Sequence, residues 1–402
     1  MMSRTADYTI QGFLYQFNKT LLEILKAQED SVITIEGIIE DIEIAEDDLI
    51  TAIQCKYHES NNSFTLSAIY KPLLQMMHHF HLNSHGKVSY VLFAHFPGLP
   101  DKTITVNKAE LQTILESNNK EFKGYVDELK GKIDLDEFLT KFSTLVGPAF
   151  ENLVTDVCVL LKENGISDTD VETLAYPNAI HLIAQLSIQH DAARRKITKK
   201  EFLSRLHQIK TTAISQWTLS LKTRKALLTE RRKQMKSNLA KNARLRYFLI
   251  HADKLQEFES QVVMFIGDYL EKYHFKSAHL KTPVFCLDTT DELFKTIQLR
   301  LFQKGIITND GYITNLFDES RFFREPMTKK GDNGAIEREF SLRLLQWSTH
   351  GTVLNKRKSD DVFVIGVGGY AGLENEDVNI EELATDSFNE IKYMLGLIDV
   401  CE

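Results

Sequence analysis

A chain of 402 residues with 43% hydrophobic and 26% charged residues has the composition of an ordinary water-soluble protein and the length of two or three domains. No run of eighteen or more apolar residues occurs and the Met1–Asp7 segment lacks the apolar stretch of a secretory signal, so neither a membrane span nor export is expected and the compartment is expected to be cytoplasmic. The four cysteines, Cys55, Cys158, Cys286 and Cys401, form no CxxC pair, which argues against a disulfide framework or a cysteine zinc site. The net charge of −8 hides an asymmetry: residues 191–250 hold 17 Lys/Arg against 3 Asp/Glu. Such a segment suits either a solvated helical face or contact with nucleic acid or an acidic partner.

Apolar residues recur at helical spacing through 8–28 (Tyr8, Phe13, Phe17, Leu21, Leu22, Leu25) and predict a first helix, with Gly12 as a point of close approach near its start. Two strands follow, at 32–44 and 49–57, joined by the acidic turn Glu46-Asp47-Asp48. Residues 64–82 read as a helix interrupted, or begun, at Pro72. Val88–Ala94 is a near-continuous apolar run, as in a strand buried on both faces. This order predicts a mixed α/β layer with helices covering a sheet.

From 101 to 210 the pattern is mainly helical, with helices over 134–145 and 150–161 and a capped start at Thr198-Lys199-Lys200-Glu201. The helical signal continues to about 280, without proline from 178 to 282. Beyond it, Val284–Leu287 reads as a strand, Thr290 as an N-cap, Asn309-Asp310-Gly311 as a hairpin turn, and Val362–Gly366 as a buried strand. Residues 380–397 form an amphipathic helix in an acidic tail. The expected organisation is a first domain over 1–210, a basic helical connector over 211–280, and a smaller α+β domain over 281–402 for partner binding or oligomerisation.

The chemistry concentrates in the hairpin. Gln54 and Lys56 are two residues apart and share one face of their strand, while Ile53 and Cys55 face the other way. A turn centred near Asp47 places Asp41 opposite Gln54. A carboxylate, an amide oxygen and an ammonium then meet on one patch, which is minimal equipment for metal-assisted phosphodiester hydrolysis.

An N-terminal helix carrying Gly12-Phe13-Leu14-Tyr15-Gln16, then Ile35-Glu36, Glu40-Asp41-Ile42 and Ile53-Gln54-Cys55-Lys56, resembles the restriction-endonuclease-type PD-(D/E)xK nucleases. More narrowly it resembles the double-stranded DNA endonuclease domain of bacterial antiphage effectors, and in overall length the LmuA subunit family of Lamassu (ABC three-component) systems. The resemblance implies a restriction-endonuclease-like mixed sheet flanked by helices. It implies Mg²⁺ or Mn²⁺ held by Asp41, Gln54 and Glu23, with Asp41, Gln54 and Lys56 catalytic and Glu36, Glu40 and Gln16 in support. Gln54 departs from the usual Asp or Glu of the motif, and Glu23 is the candidate for the missing charge. The implied partners are double-stranded DNA, an SMC-like ATPase (LmuB-like), a small accessory subunit (LmuC-like) and further copies of the chain, with no membrane. Arg231, Arg232 and Lys233, the densest basic point, are the candidate contacts to DNA. The competing reading is a non-catalytic interaction subunit with a degenerate nuclease fold.

Other constellations are weaker. His78, His79, His81 and His85 cluster at one helix end without cysteine or carboxylate partners, which favours capping and surface roles over a metal site. Gly366-Val367-Gly368-Gly369 lacks the phosphate-loop pattern and reads as a turn. No GxSxG elbow is present.

Overall fold

The fold is that of a computed structural model, and the structure describes residues 4–37, 39–58, 65–83, 86–97, 106–221, 223–276, 279, 281–330, 336–366, 373 and 378–401. The chain divides into two compact units, Met1–Lys210 and Thr211–Glu402. Both are α/β units with sheets flanked by helices.

The first unit begins with α1 (Arg4–Lys26), whose Phe17, Leu21, Ile24 and Leu25 are buried. Gly12 is not a point of close approach, because a Cβ there would meet nothing within 4 Å. The chain continues through β1 (Val32–Ile35), β2 (Ile42–Glu46), β3 (Leu49–Tyr57), α2 (Tyr70–Leu82) and β4 (Val88–His95). A 3₁₀ turn, Leu66–Ile69, precedes α2. Pro72 therefore falls in the first turn of α2, where its missing N–H leaves no helical bond unmade.

Helices α3 (Lys108–Leu115), α4 (Lys123–Leu129) and α5 (Leu135–Lys141) lead to β5 (Phe142–Val146). The helix expected over 134–145 thus ends early, because Phe142–Val146 extend to pair in parallel with β4. Then come α6 (Phe150–Glu163), α7 (Tyr176–Ser187), β6 (Lys196–Thr198) and α8 (Lys199–Gln208). The side chain of Thr198 caps α8 by accepting the Glu201 N–H at 3.2 Å.

These strands form one mixed sheet in the order β5-β4-β3-β2-β1-β6. The β1–β2–β3 meander is antiparallel, and β3, β4 and β5 run parallel. Helix α1 covers the face that carries Cys55, Tyr57, Phe93 and His95, with the Tyr15 ring 4.8 Å from that of Tyr57 and 5.7 Å from that of Phe93. The opposite face, with Ala52, Tyr90, Leu92 and Ala94, packs with Leu73, Leu74, Met77 and Phe80 of α2 into a separate core.

The second unit opens with α9 (Gln216–Leu219) and α10 (Arg224–Leu239), followed by β7 (Arg246–His251), α11 (Phe258–Tyr273), β8 (Val284–Asp288) and α12 (Asp291–Gln303). Three two-residue strands, β9 (Thr308–Asn309), β10 (Tyr312–Ile313) and β11 (Leu316–Phe317), precede α13 (Glu319–Phe323). The ribbon β12 (Thr328–Lys330) and β13 (Ile336–Arg338) is followed by β14 (Leu342–Gln346), α14 (Trp347–His350), β15 (Asp361–Ile365), β16 (Asn379–Leu383) and α15 (Phe388–Met394). The main sheet, β16-β15-β7-β8-β14-β9, is parallel throughout. Strands buried on both faces need continuous apolar runs, and β7, β8 and β15 supply them.

Three local expectations are corrected here. Residues 246–251 are not helical; they are β7, between β15 and β8. The hairpin turn falls at Thr314-Asn315 between β10 and β11, because Thr308–Asn309 pair with β14 instead. Asn379–Leu383 pair with β15 as a parallel strand, so the C-terminal helix is confined to Phe388–Met394.

Candidate active site

The β2–β3 hairpin pairs Ile42 with Ile53 and Glu46 with Leu49, so partner numbers add to 95 and Asp41 lies across from Gln54. Asp41 enters β2 from a tight connection. Glu36 adopts φ +50°, its N–H donates to the Asp41 carbonyl at 2.8 Å, and Gly37 lies so close to Glu43 that a Cβ would sit 2.2 Å from the Glu43 Oε1. That Glu43 oxygen accepts the Ile39 N–H at 2.5 Å. The connection therefore closes on its own backbone and holds Glu36, Glu40 and Asp41 together.

Asp41 Oδ2 accepts two hydrogen bonds, one from the Cys55 N–H at 2.8 Å and one from the Gln54 side-chain amide. Gln54 is 6% exposed. Alternation along β3 puts Lys56 on the same face, and among the described residues its ammonium makes no ion pair or hydrogen bond within bonding range. Burial lifts the Asp41 carboxyl above the usual carboxylate range, against the pull of the Cys55 N–H, Lys56 and Gln54.

Glu40 is buried, and its Oε1 has no hydrogen-bond partner among the described residues. Burial first, and then the Asp41 charge, push its carboxyl up to about 8, with Lys56 pulling the other way. Glu36 accepts the Gln16 amide at 2.6 Å and is also raised, chiefly by burial and by Asp41. The structure thus gathers Gln16, Glu36, Glu40, Asp41, Gln54 and Lys56 at one end of the β1–β2–β3 meander.

Among the described residues Glu23 shares no hydrogen bond with this group. It is ion-paired with Lys19 one turn away on α1, the helix that also brings Gln16 to Glu36, and its charge, like that of Asp41, acts on Cys55. The Lys19 ammonium in turn sits 4.2 Å from the Phe93 ring centre.

Two residues beside the site were not singled out from the sequence. Arg195 donates to the Glu36 carbonyl at 2.5 Å and to the Gln189 carbonyl at 2.6 Å, bracing the connection. His58, two residues beyond Lys56, stacks on Phe96 at 4.7 Å and is held below the usual imidazole range by burial, Lys56 and His95. The two-residue step from Lys56 was the available signal for His58; nothing local marks Arg195.

Of the three candidate DNA contacts in the basic segment, Arg231 and Arg232 are committed to the second unit. Arg231 is 3% exposed and ion-paired with Glu381, whose strand it braces. Arg232 donates to the Ile398 carbonyl at 2.8 Å and to Asp399 at 2.9 Å, over the Tyr393 ring. Lys233 projects into solvent, with Glu230 3.6 Å away.

His78 pairs with Glu128 at 2.6 Å and His79 with the Tyr90 hydroxyl at 2.7 Å, while His85 lies outside the described residues. Gly366 turns the chain after β15 at φ +89°, and Val367, Gly368 and Gly369 lie outside the described residues. Among the described residues no three His, Cys, Asp or Glu side chains form a ready metal cage, and no helix is long and apolar enough to cross a membrane.

No family profile matches the chain. No curated protein matches it. Among solved structures it is similar to the Acinetobacter baumannii Cap4 SAVED/CARF-domain containing receptor with the cyclic trinucleotide 3′3′3′-cAAA, at 14% identity and a TM-score of 0.31, over 92% of this chain and 95% of that one. It is likewise similar to a structure described as the same receptor with no ligand named, at 14% identity and a TM-score of 0.31, over 96% of this chain and 92% of that one. At TM-scores of 0.31 the likeness establishes neither the fold of either unit nor a ligand.

Proposed function

We propose that the first unit is a metal-dependent endonuclease of the PD-(D/E)xK type, hydrolysing phosphodiester bonds of double-stranded DNA. The observation that carries this reading is the convergence of Asp41, Gln54 and Lys56 on one sheet face, with Asp41 clamped to the Cys55 N–H. The α-β-β-β-α-β order, with an antiparallel meander and a parallel crossover through α2, supports the restriction-endonuclease-like fold that the sequence motifs imply.

The residues fit a hard divalent cation such as Mg²⁺ or Mn²⁺. Such ions take oxygen donors, and Mg²⁺ is commonly held by one or two carboxylates with the remaining positions filled by water and substrate phosphate. Asp41 and the Gln54 amide oxygen would hold it, and the neighbouring Glu40 has a buried carboxylate oxygen with no hydrogen-bond partner among the described residues. When bound, the cation supplies positive charge at the phosphate and a water of lowered pKa. The Lys56 ammonium, which makes no hydrogen bond or ion pair among the described residues, would orient that water or stabilise the charge growing on the phosphate oxygens. Gln54 and the Cys55 N–H both donate to Asp41 Oδ2 and fix the carboxylate.

In the biological setting implied by the sequence resemblance, this nuclease is the effector of a bacterial antiphage complex. An SMC-like ATPase and a small accessory subunit hold it inactive until foreign DNA is sensed, and the active form is a homo-oligomer, since cutting both strands needs two sites. Plasmid cleavage in Mg²⁺, with and without those partners and beside the Lys56→Ala variant, is the test. Metal-dependent linearisation that Lys56→Ala abolishes is the expected result. Absence of cleavage under every condition would favour a non-catalytic interaction subunit.

A further inference from the structure

The β1–β2 connection and the start of β2 carry four acids, and three of them have an N–H donor. Glu36 takes the Gln16 amide at 2.6 Å, Asp41 the Cys55 N–H at 2.8 Å, and Glu43 the Ile39 N–H at 2.5 Å. Glu40 is the exception. It is 7% exposed, yet its Oε1 is buried with no hydrogen-bond partner among the described residues. Its charged neighbours are Asp41, Lys56 and Glu43.

An unpartnered buried carboxylate is costly, and burying it beside a second carboxylate costs more. Among the described residues three of these acids receive an N–H donor and Glu40 Oε1 receives none, which leaves that oxygen available to a cation. The site is also short of negative charge. Gln54 brings a neutral amide where a carboxylate would complete the set, so Asp41 alone would face a divalent cation. Glu23 is already ion-paired with Lys19 on α1, which offsets its charge.

We infer that Glu40 supplies the second carboxylate of the cation site, taking over the charge that Gln54 lacks, so that a hard divalent cation is held by Asp41, Glu40 and the Gln54 amide oxygen. The inference rests on the nuclease reading above. It assigns to the residue beside the motif acid, rather than to the helix α1, the role left open by the motif's departure.

The test is Mn²⁺ binding to the full-length protein without DNA, followed by isothermal titration calorimetry and by the Mn²⁺-induced rise in Tm. Glu40→Gln is expected to weaken Mn²⁺ binding at least tenfold and to shrink the Tm rise, while the metal-free variant keeps or exceeds the wild-type Tm. Asp41→Asn is expected to abolish binding, and Glu23→Gln to leave it unchanged. Wild-type affinity in Glu40→Gln together with loss in Asp41→Asn would overturn the role of Glu40 alone. Tight Mn²⁺ binding that survives both substitutions, or no binding by the wild-type protein, would overturn the metal site and the nuclease reading with it. Loss of affinity in Glu23→Gln would restore the charge to α1 and refute the assignment.

Discussion

Asp41 Oδ2 accepts the backbone N–H of Cys55 at 2.8 Å, so a side chain at the entrance of β2 is fastened to the main chain of β3 one residue before Lys56. The ammonium is carried by β3 itself, and the carboxylate, at the end of the β1–β2 connection, is tied to that same strand. This fastening is what allows three polar side chains to converge on an otherwise apolar sheet.

Lys56→Ala follows most directly. In the proposed chemistry the ammonium stabilises charge that develops during the reaction, a type of contact worth about 10²–10³ in rate. Because Lys56 makes no ion pair or hydrogen bond among the described residues, its loss should leave folding intact. Cleavage of duplex DNA in Mg²⁺ should fall by roughly two to three orders of magnitude, with the unfolding midpoint within a degree or so of wild type. Cleavage at the wild-type rate would remove Lys56 from the mechanism.

Gly37→Ala should damage the same site from outside it. The new Cβ would sit 2.2 Å from Glu43 Oε1, which must then leave the Ile39 N–H it accepts at 2.5 Å. Losing a hydrogen bond to a charged group costs about 1.5–3 kcal/mol, and the connection that positions Glu40 and Asp41 loosens with it. Urea unfolding should show a loss of that order, and Mn²⁺ affinity should drop although no proposed ligand has changed. An unaltered Mn²⁺ affinity would mean that the site tolerates movement of its connection.

Much of this hairpin was legible in the sequence. Alternation in Ile53-Gln54-Cys55-Lys56 assigns the faces, and the position of the acidic turn sets the register, so Asp41 against Gln54 follows from local information. The ion pair that Glu23 makes with Lys19 is also local, an i, i+4 pair on one helix face. The isolation of Glu40 could not be read, since it depends on where neighbouring N–H groups spend their bonds. In the second unit, Arg246–His251 sits in a long proline-free stretch and was absorbed into a helical reading, although Tyr247-Phe248-Leu249-Ile250 is the continuous apolar run of a doubly buried strand. Asn379–Leu383 hides in an acidic tail, and parallel pairing with β15 leaves no hairpin signal.

Acid should weaken the second unit through His274. Burial first, and then Arg338, His279, Arg246 and Arg343, hold its imidazole down at about 3, against the usual 6.5. The unfolded chain therefore binds a proton below about 6.5 that the folded chain refuses until about 3. The sign is that stability rises with pH across this window and falls as pH drops through it, by about 1.4 kcal/mol per unit at most. His274→Phe keeps an aromatic ring and removes the proton. Unfolding midpoints measured from pH 7 to pH 4 should fall less steeply in the variant; parallel curves would show that His274 protonates in the folded protein without cost.

Arg231 separates a structural guanidinium from a DNA-binding one. It is 3% exposed and paired with Glu381, and its Nε and Nη1 have no hydrogen-bond partner among the described residues. Removing one partner of a buried pair leaves the other charge uncompensated and costs about 3–5 kcal/mol, whereas replacing both with apolar residues is often neutral or stabilising. Glu381→Leu should therefore destabilise the full-length protein by that order in urea, and Arg231→Met with Glu381→Leu should recover most of the loss. If Arg231 instead contacted a phosphate, Arg231→Met would lower the slope of log affinity for DNA against log salt by about 0.9. The buried position predicts an unchanged slope, so the two measurements on one variant assign the residue to the fold or to the nucleic acid.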